Sequence, residues 1–159
     1  MKKVLIFGST GSIGRNALSV IRANKDKFKV KGLCANKDLS TLLGQIKEFK
    51  PKYVCLRDEA AAKKLAQTLD KRIKLFKGQK GLDEFSSLGS DISLMAISGI
   101  SCLKPLLANI KQTKMIALAN KESLVTAGKI VFNRAKKFKT QIIPVDSEIN
   151  ALFQLINGK

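Results

Sequence analysis

The chain has 159 residues, 45% of them hydrophobic and 26% charged, and a net charge of +18. That is enough length for one domain with a buried core, and too apolar a composition for a disordered chain. No apolar run approaches the ~20 residues of a membrane span, so no membrane partner is expected. The charge invites a polyanion, yet the lysines are dispersed over helical faces, as in AAAKKLAQTLDKRIK and NRAKKFKT, with only scattered Phe nearby and no stacking platform or recognition-helix pattern. Specific nucleic-acid binding is therefore not expected, and the charge favours small phosphorylated ligands instead.

Val4–Phe7 is a short apolar run closed by a glycine, the pattern of a buried strand, and residues 12–24 follow with helical spacing of Ile13, Ala17, Leu18 and Ile21. Lys29–Ala35 reads as a second strand, after which Asp38 can cap a helix carrying Leu39, Leu42, Leu43 and Ile46 on one face. Next come a strand over Tyr53–Leu56, a helix over Asp58–Leu69, a strand over Ile73–Phe76 and a short helix near Leu82–Ser87. The rhythm then repeats: strand Ile92–Ile97, helix Leu103–Ile110, strand Met115–Ala119, helix Glu122–Lys136 and strand Gln141–Val145. The long helix is expected to present Leu124, Val125, Ile130 and Val131 as its apolar positions. Strands alternating with helices of ten to fifteen residues imply βαβ units, hence an α/β, Rossmann-like doubly wound fold with a mostly parallel sheet.

The N-terminal MKKVLIF is too short a hydrophobic region for a signal peptide before GSTG interrupts it, and no Arg- and Ser-rich transit segment precedes it. Cys34, Cys55 and Cys102 each sit in or beside an apolar run and are an odd number. They read as buried free thiols of a reducing compartment, so a cytoplasmic protein is expected. The chain has no histidine and no zinc-type spacing.

GSTGSIG places Gly8, Gly11 and Gly14 between the first strand and the first helix. A tight strand-to-helix turn needs a residue that tolerates positive φ, and a pyrophosphate can approach only a backbone without side chains. The N–H groups of Thr10 to Ile13 would face that anion at the positive end of the helix. After the second strand comes Ala35-Asn36-Lys37-Asp38. A lone acid at this position would accept the ribose 2′-hydroxyl of NAD, and a cation would accommodate the 2′-phosphate of NADP. With Lys37 as the cation and Asp38 assigned to the next helix, NADPH is the expected cofactor.

GSTGSIG, LANKESLV (Leu118–Val125) and PVDSE (Pro144–Glu148) together resemble the signature segments of the 1-deoxy-D-xylulose 5-phosphate reductoisomerase family, in order and at matching intervals. The resemblance runs over essentially the whole chain. Members of that family are more than twice as long, so residues 1–145 resemble their NADPH-binding domain and 146–159 the beginning of their catalytic domain. The resemblance implies isomerisation and NADPH-dependent reduction of the sugar phosphate 1-deoxy-D-xylulose 5-phosphate to 2-C-methyl-D-erythritol 4-phosphate, in non-mevalonate isoprenoid biosynthesis. It also implies a divalent metal, Mg²⁺ or Mn²⁺, and a homodimeric full-length enzyme.

By the same resemblance, Thr10, Gly11, Ser12 and Ile13 would hold the pyrophosphate, and Asn36 and Lys37 the 2′-phosphate. Asn120 and Glu122 would meet the nicotinamide side, and Lys121 the substrate. Asp146 and Glu148 would be two of three carboxylate metal ligands, with Ser147 on the substrate. Hard divalent cations take carboxylate oxygens. On an extended segment, period two would send Asp146 and Glu148 to one side.

Two positions depart from the family pattern. Ile149 stands where histidine follows the glutamate, and it cannot hydrogen-bond a substrate. Asp38 stands where asparagine is usual, and its carboxylate would oppose a 2′-phosphate unless it faces its own helix. A short-chain dehydrogenase or epimerase would need Tyr-x-x-x-Lys, but Arg57 follows the only tyrosine, Tyr53, at that interval. A homoserine-dehydrogenase-like protein would share the ANK but not PVDSE. The alternative from another class is a catalytically inactive cofactor-binding remnant or regulatory module.

Overall fold

The computed structural model describes residues 1–157, with the side chains of Glu148, Leu152 and Asn157 outside the description. Its strands are β1 (Lys2–Phe7), β2 (Phe28–Ala35), β3 (Tyr53–Leu56), β4 (Lys74–Lys77), β5 (Ser90–Met95), β6 (Thr113–Leu118) and β7 (Gln141–Pro144). They form one sheet in the order β4-β3-β2-β1-β5-β6-β7, every pair parallel. Helices α1 (Ser12–Ala23), α2 (Leu39–Phe49), α3 (Glu59–Thr68), α4 (Gly78–Ser86), α5 (Leu103–Asn109), α6 (Lys121–Phe138) and α7 (Ser147–Asn157) follow the strands in turn, with a 3-10 turn over Ile100–Cys102.

The apolar run of β1 feeds two cores, because successive strand side chains face opposite ways. Val4 and Ile6 pack with Leu18 and Ile21 of α1, Leu42 and Ile46 of α2, and Ala62 and Leu65 of α3. Leu5 and Phe7 face Leu82 and Phe85 of α4, Leu106 of α5 and Val131 of α6. Phe85 anchors this second layer, its ring edge-on to Phe7 at 5.1 Å and to Phe76 at 5.8 Å between centroids. Cys34, Cys55 and Cys102 are free and buried in the same layer. Burial pushes the Cys102 thiol up to about 12, and the Cys34 hydrogen bond together with burial pushes Cys55 up as well.

Several expectations are corrected. Helix α4 starts at Gly78, four residues before the expected Leu82. Helix α6 is longer than expected and broken at Ala127 (φ −142°, ψ 27°). Of the four apolar positions expected to face the core, Val125 (84% exposed) and Ile130 (59%) face outward while Val131 is fully buried: Leu124 and Val131, seven apart, share a face that their neighbours at 125 and 130 lie about 100° from. Ile13, expected on the buried stripe of α1, is exposed at its first turn; Gly14, Leu18 and Ile21 make the contact. Finally, the segment after Pro144 is not extended: α7 begins at Ser147.

Candidate functional site

In an open parallel sheet, ligands bind outside the carboxyl ends of the strands where the strand order reverses. Here the chain winds outward from β1 through β2, β3 and β4, then returns to β5 on the other side of β1. The loops after β1, β2, β3, β5, β6 and β7 therefore share one rim, and every candidate residue lies on it or in the first turn of the helix that follows. A cavity of about 980 Å³ opens elsewhere, at the opposite end of the sheet around Lys3, Lys29, Lys52 and Arg72, and contains none of them.

The loop after β1 is held from beneath, since the N–H groups of Gly8 and Ser9 both donate to the Cys34 carbonyl at 2.9 Å. Gly8 adopts φ +87°, and a Cβ there would lie 2.4 Å from the Ala96 carbonyl oxygen. A Cβ at Gly14 would lie 2.3 Å from the Gly8 oxygen and 2.7 Å from Ser9 Cα. Two glycines thus let α1 start directly against the end of β1. Among the described residues nothing closes that start: Gly11 offers no capping side chain and the first turn holds no acid. The N–H groups of Thr10, Ser12 and Ile13 donate to no backbone acceptor there. The expectation that Thr10 to Ile13 are all free is corrected at Gly11, whose N–H donates to the Gly8 carbonyl at 3.2 Å. Beneath the loop, Gln45 donates to the Ser9 carbonyl at 2.8 Å, a buried contact that no motif or spacing announces.

At the end of β2, Asn36 and Lys37 are exposed, and Lys37 enters no ion pair among the described residues. Asp38 turns into α2 and accepts from the Thr41 N–H at 3.0 Å. The Thr41 hydrogen bonds, aided by the Arg15 guanidinium, hold its carboxyl below the usual carboxylate range. Its charge is therefore engaged by its own helix.

After β6, Asn120 is almost fully buried and turned inward. Its amide N–H groups serve the Ile97 and Gly99 carbonyls, both at 3.1 Å, and Glu122 Oε2 at 3.0 Å. Its oxygen accepts from the Ser123 N–H at 2.9 Å and from the Ser123 hydroxyl. Asn120 thus caps α6 and ties it to the loop after β5, and Glu122 is drawn into the same network. Lys121 is exposed at the first position of α6.

After β7, Asp146 Oδ1 accepts from the Ile149 N–H at 2.8 Å, the geometry of an N-cap. This bond, with apolar residues at 149, 152, 153 and 156, is why the segment coils rather than extends. Asp146 Oδ2 is buried and has no hydrogen-bond partner among the described residues. Ser147 is exposed, and Glu148 lies in the first turn of α7 with its side chain outside the described residues. Among the described residues no three His, Cys, Asp or Glu side chains cluster as a metal site, and no helix is long and apolar enough to cross a membrane.

The rim supports a definite chemistry: unpaired N–H donors at a helix start for an anion, an exposed cation beside the second strand, and an orphaned carboxylate oxygen. The family described as 1-deoxy-D-xylulose 5-phosphate reductoisomerase matches residues 4–128. A relative of that name from Caldanaerobacter subterraneus subsp. tengcongensis is 47% identical over 158 residues, covering 99% of this chain and 41% of the relative. The solved 1-deoxy-D-xylulose 5-phosphate reductoisomerase from Zymomonas mobilis, in complex with NADPH, is similar with a TM-score of 0.90 and 36% identity, over 96% of this chain and 41% of that one. Another solved reductoisomerase, in complex with NADPH, fosmidomycin and magnesium, gives a TM-score of 0.87 at 34% identity, over 97% of this chain and 38% of the other. The chain spans about 41% of the length of the first of these relatives.

Proposed function

The chain belongs to the 1-deoxy-D-xylulose 5-phosphate reductoisomerase family, and from this we propose that it is the NADPH-binding part of an enzyme that isomerises and reduces 1-deoxy-D-xylulose 5-phosphate to 2-C-methyl-D-erythritol 4-phosphate. The observation that carries the reading is the uncapped start of α1, where among the described residues the N–H groups of Thr10, Ser12 and Ile13 have no backbone acceptor and no side-chain cap. Such a start attracts an anion through both its free donors and the helix dipole. Thr10, Ser12 and Ile13 would donate to the pyrophosphate, and Gly11 leaves the approach clear. Asn36 and Lys37 would receive the 2′-phosphate. Asn120 would shape the nicotinamide end through the Ile97–Gly99 loop it holds, with Glu122 beside it.

Bound NADPH supplies hydride to the substrate carbon. The chain's residues would position that event: α1 would fix one end of the dinucleotide and the start of α6 the other, with Lys121 meeting the substrate. A divalent metal fits Asp146, whose Oδ2 lacks any partner among the described residues; Asp146 and Glu148 would hold it and Ser147 would hydrogen-bond the substrate. Mg²⁺ or Mn²⁺ there would gather the substrate's oxygens and polarise its carbonyl. We place the boundary of the cofactor domain at residue 145, with 146–159 opening the catalytic domain. Three buried free thiols favour a cytoplasmic protein. The exposed Val125, Ile130, Phe132, Leu155 and Ile156 favour burial against further protein, in keeping with a homodimeric full-length enzyme.

A second reading, a cofactor-binding unit without turnover of its own, is favoured by Ile149, which brings no polar group to the candidate metal ligands. Calorimetric titration with NADPH and NADH separates cofactor binding from turnover. NADPH should bind more tightly, and Lys37→Ala should reduce the difference; equal affinities in the unsubstituted chain would sink the role of Lys37. Turnover of 1-deoxy-D-xylulose 5-phosphate with Mn²⁺, followed by NADPH absorbance, decides between the two readings.

A further inference from the structure

We propose that Arg57 is a second 2′-phosphate ligand and, together with Lys37, sets the preference for NADPH over NADH. This rests on the dinucleotide reading above and assigns a residue that the family motifs do not point to. The placement follows from strand register. Ala35 of β2 pairs with Leu56 of β3. One step further, the Arg57 N–H donates to the Ala35 carbonyl at 3.1 Å and the Asp58 N–H to the Asn36 carbonyl at 2.8 Å. Arg57 therefore stands beside Asn36, about 5 Å away in backbone terms, within reach of the same ligand for a long side chain.

The aspartates beside the ends of β2 and β3 cap their own helices. Asp38 faces the Thr41 N–H, and Asp58 accepts from the Ala61 N–H at 2.8 Å as the cap of α3. The Glu59 carboxylate lies against Gly78, where its Oε1 would be 2.7 Å from an added Cβ. The two aspartates that follow β2 and β3 are thus engaged by their own helices rather than turned to a ribose 2′-hydroxyl, the ligand group an NAD site holds with an acid. The cations show the opposite. The chain has five arginines. Arg22 pairs with Glu48, Arg72 with Asp70, Arg134 donates to the Leu107 carbonyl, and Arg15 is drawn to Asp38. Among the described residues Arg15 and Arg57 enter no ion pair, and of the two Arg57 is the one placed beside Asn36 by the β2–β3 register. A guanidinium offers two parallel N–H bonds to a phosphate where a lysine offers a point charge. The two residues therefore contribute differently, Arg57 by geometry and Lys37 by field.

The test uses the 159-residue chain and its Arg57→Ala, Arg57→Lys and Lys37→Ala variants, titrated with NADPH and NADH by calorimetry at two salt concentrations. Arg57→Ala should weaken NADPH about tenfold and leave NADH unchanged within about twofold, while Arg57→Lys restores only part of the loss. The NADPH advantage should shrink with salt, and less so in Arg57→Ala. Because Arg57 is exposed, its variants should unfold at the parent temperature without ligand, which keeps folding out of the comparison. Arg57→Ala binding NADPH like the parent, or losing NADPH and NADH equally, would overturn the assignment while leaving the dinucleotide reading intact. Failure of the unsubstituted chain to bind either dinucleotide would overturn both.

Discussion

Replacing Gly14 by alanine tests whether α1 needs to start in contact with the end of β1. The added Cβ would sit 2.3 Å from the Gly8 oxygen, 2.7 Å from Ser9 Cα and 2.8 Å from Ser9 C, all backbone atoms that no rotamer change can move. Relief to an ordinary C···O separation of about 3.3 Å means lifting the helix start by roughly 1 Å. A gap of that size forfeits up to about half the dispersion well for contacts nearby, and it lies one turn from the buried Leu18. Overpacking of this kind costs about 3 kcal/mol, and the helix propensity gained from alanine returns only about 0.5–1 kcal/mol. The net loss, about 2 kcal/mol or slightly more, should lower the thermal midpoint by about 4–8 °C for a chain of this size. Gly44→Ala in α2 is the control: a Cβ there meets nothing within 4 Å, so the midpoint should rise by about 2 °C. Calorimetric unfolding of the three proteins without ligand measures both shifts. A Gly14→Ala midpoint equal to or above that of the parent would refute the close-approach argument. If Gly14→Ala folds, NADPH should also bind less tightly, because the Ser12 and Ile13 donors move with the helix start.

Two further outcomes follow from the rim and the surface. Asp146→Ala should uncap α7 at a cost of about 1 kcal/mol, seen as faster amide exchange at Ile149, whereas Asp146→Asn keeps the cap yet lowers Mn²⁺ affinity; equal metal binding by the parent and Asp146→Asn would remove Asp146 from the candidate metal site. Asp38, Glu48, Asp70, Asp83 and Asp91 are all held below their ordinary range by hydrogen bonds and nearby cations, Asp70 at about 2 by Arg72. Their contribution is present above the unfolded carboxylate range of about 4 and is lost as pH falls toward 2. With no histidine in the chain, urea midpoints should stay level between about pH 7 and pH 5 and drop only below about pH 4.

The strands were legible because a parallel sheet covered on both faces turns each strand into a short apolar run, as in Val4–Phe7 and Tyr53–Leu56. Helix ends were legible where a side chain supplied the cap, as with Asp38 and Asp58. What stayed hidden depended on contacts distant in sequence. Helix α4 begins with two low-propensity glycines at 78 and 81, yet a Cβ at Gly81 would meet the Phe76 backbone at 2.7 Å, so close packing on β4 favours glycine where propensity disfavours it. The break at Ala127 is announced by no spacing rule, and the outward turn of Val125 and Ile130 follows from Leu124 and Val131, seven apart, taking the buried face. In the linear sequence Arg57 stands out only as the residue four after Tyr53, where a short-chain dehydrogenase needs lysine. Its placement beside Asn36 needs the β2–β3 register, which a linear reading cannot supply.

Asp146 shows how one residue can satisfy two local rules that lead to different structures. Read as D-x-E, it suits an extended segment carrying two ligands on one side; read with Ile149, Leu152, Phe153 and Ile156, it is a helix N-cap. Sequence distance cannot choose between these, but hydrogen-bond demand can. Beyond Pro144 no eighth strand adds to the sheet among the described residues, so an extended chain would leave its N–H groups without ladder partners, while a helix satisfies all but its first turn. The cap uses only Oδ1, at the Ile149 N–H. Oδ2 remains buried and unpartnered among the described residues, an arrangement that burdens a purely structural aspartate and suits one that also holds a cation. The helix therefore leaves the ligand role proposed for Asp146 open to its Oδ2 and changes the geometry of that proposal: the carboxylate is oriented by the start of α7 rather than by the pleat of a strand.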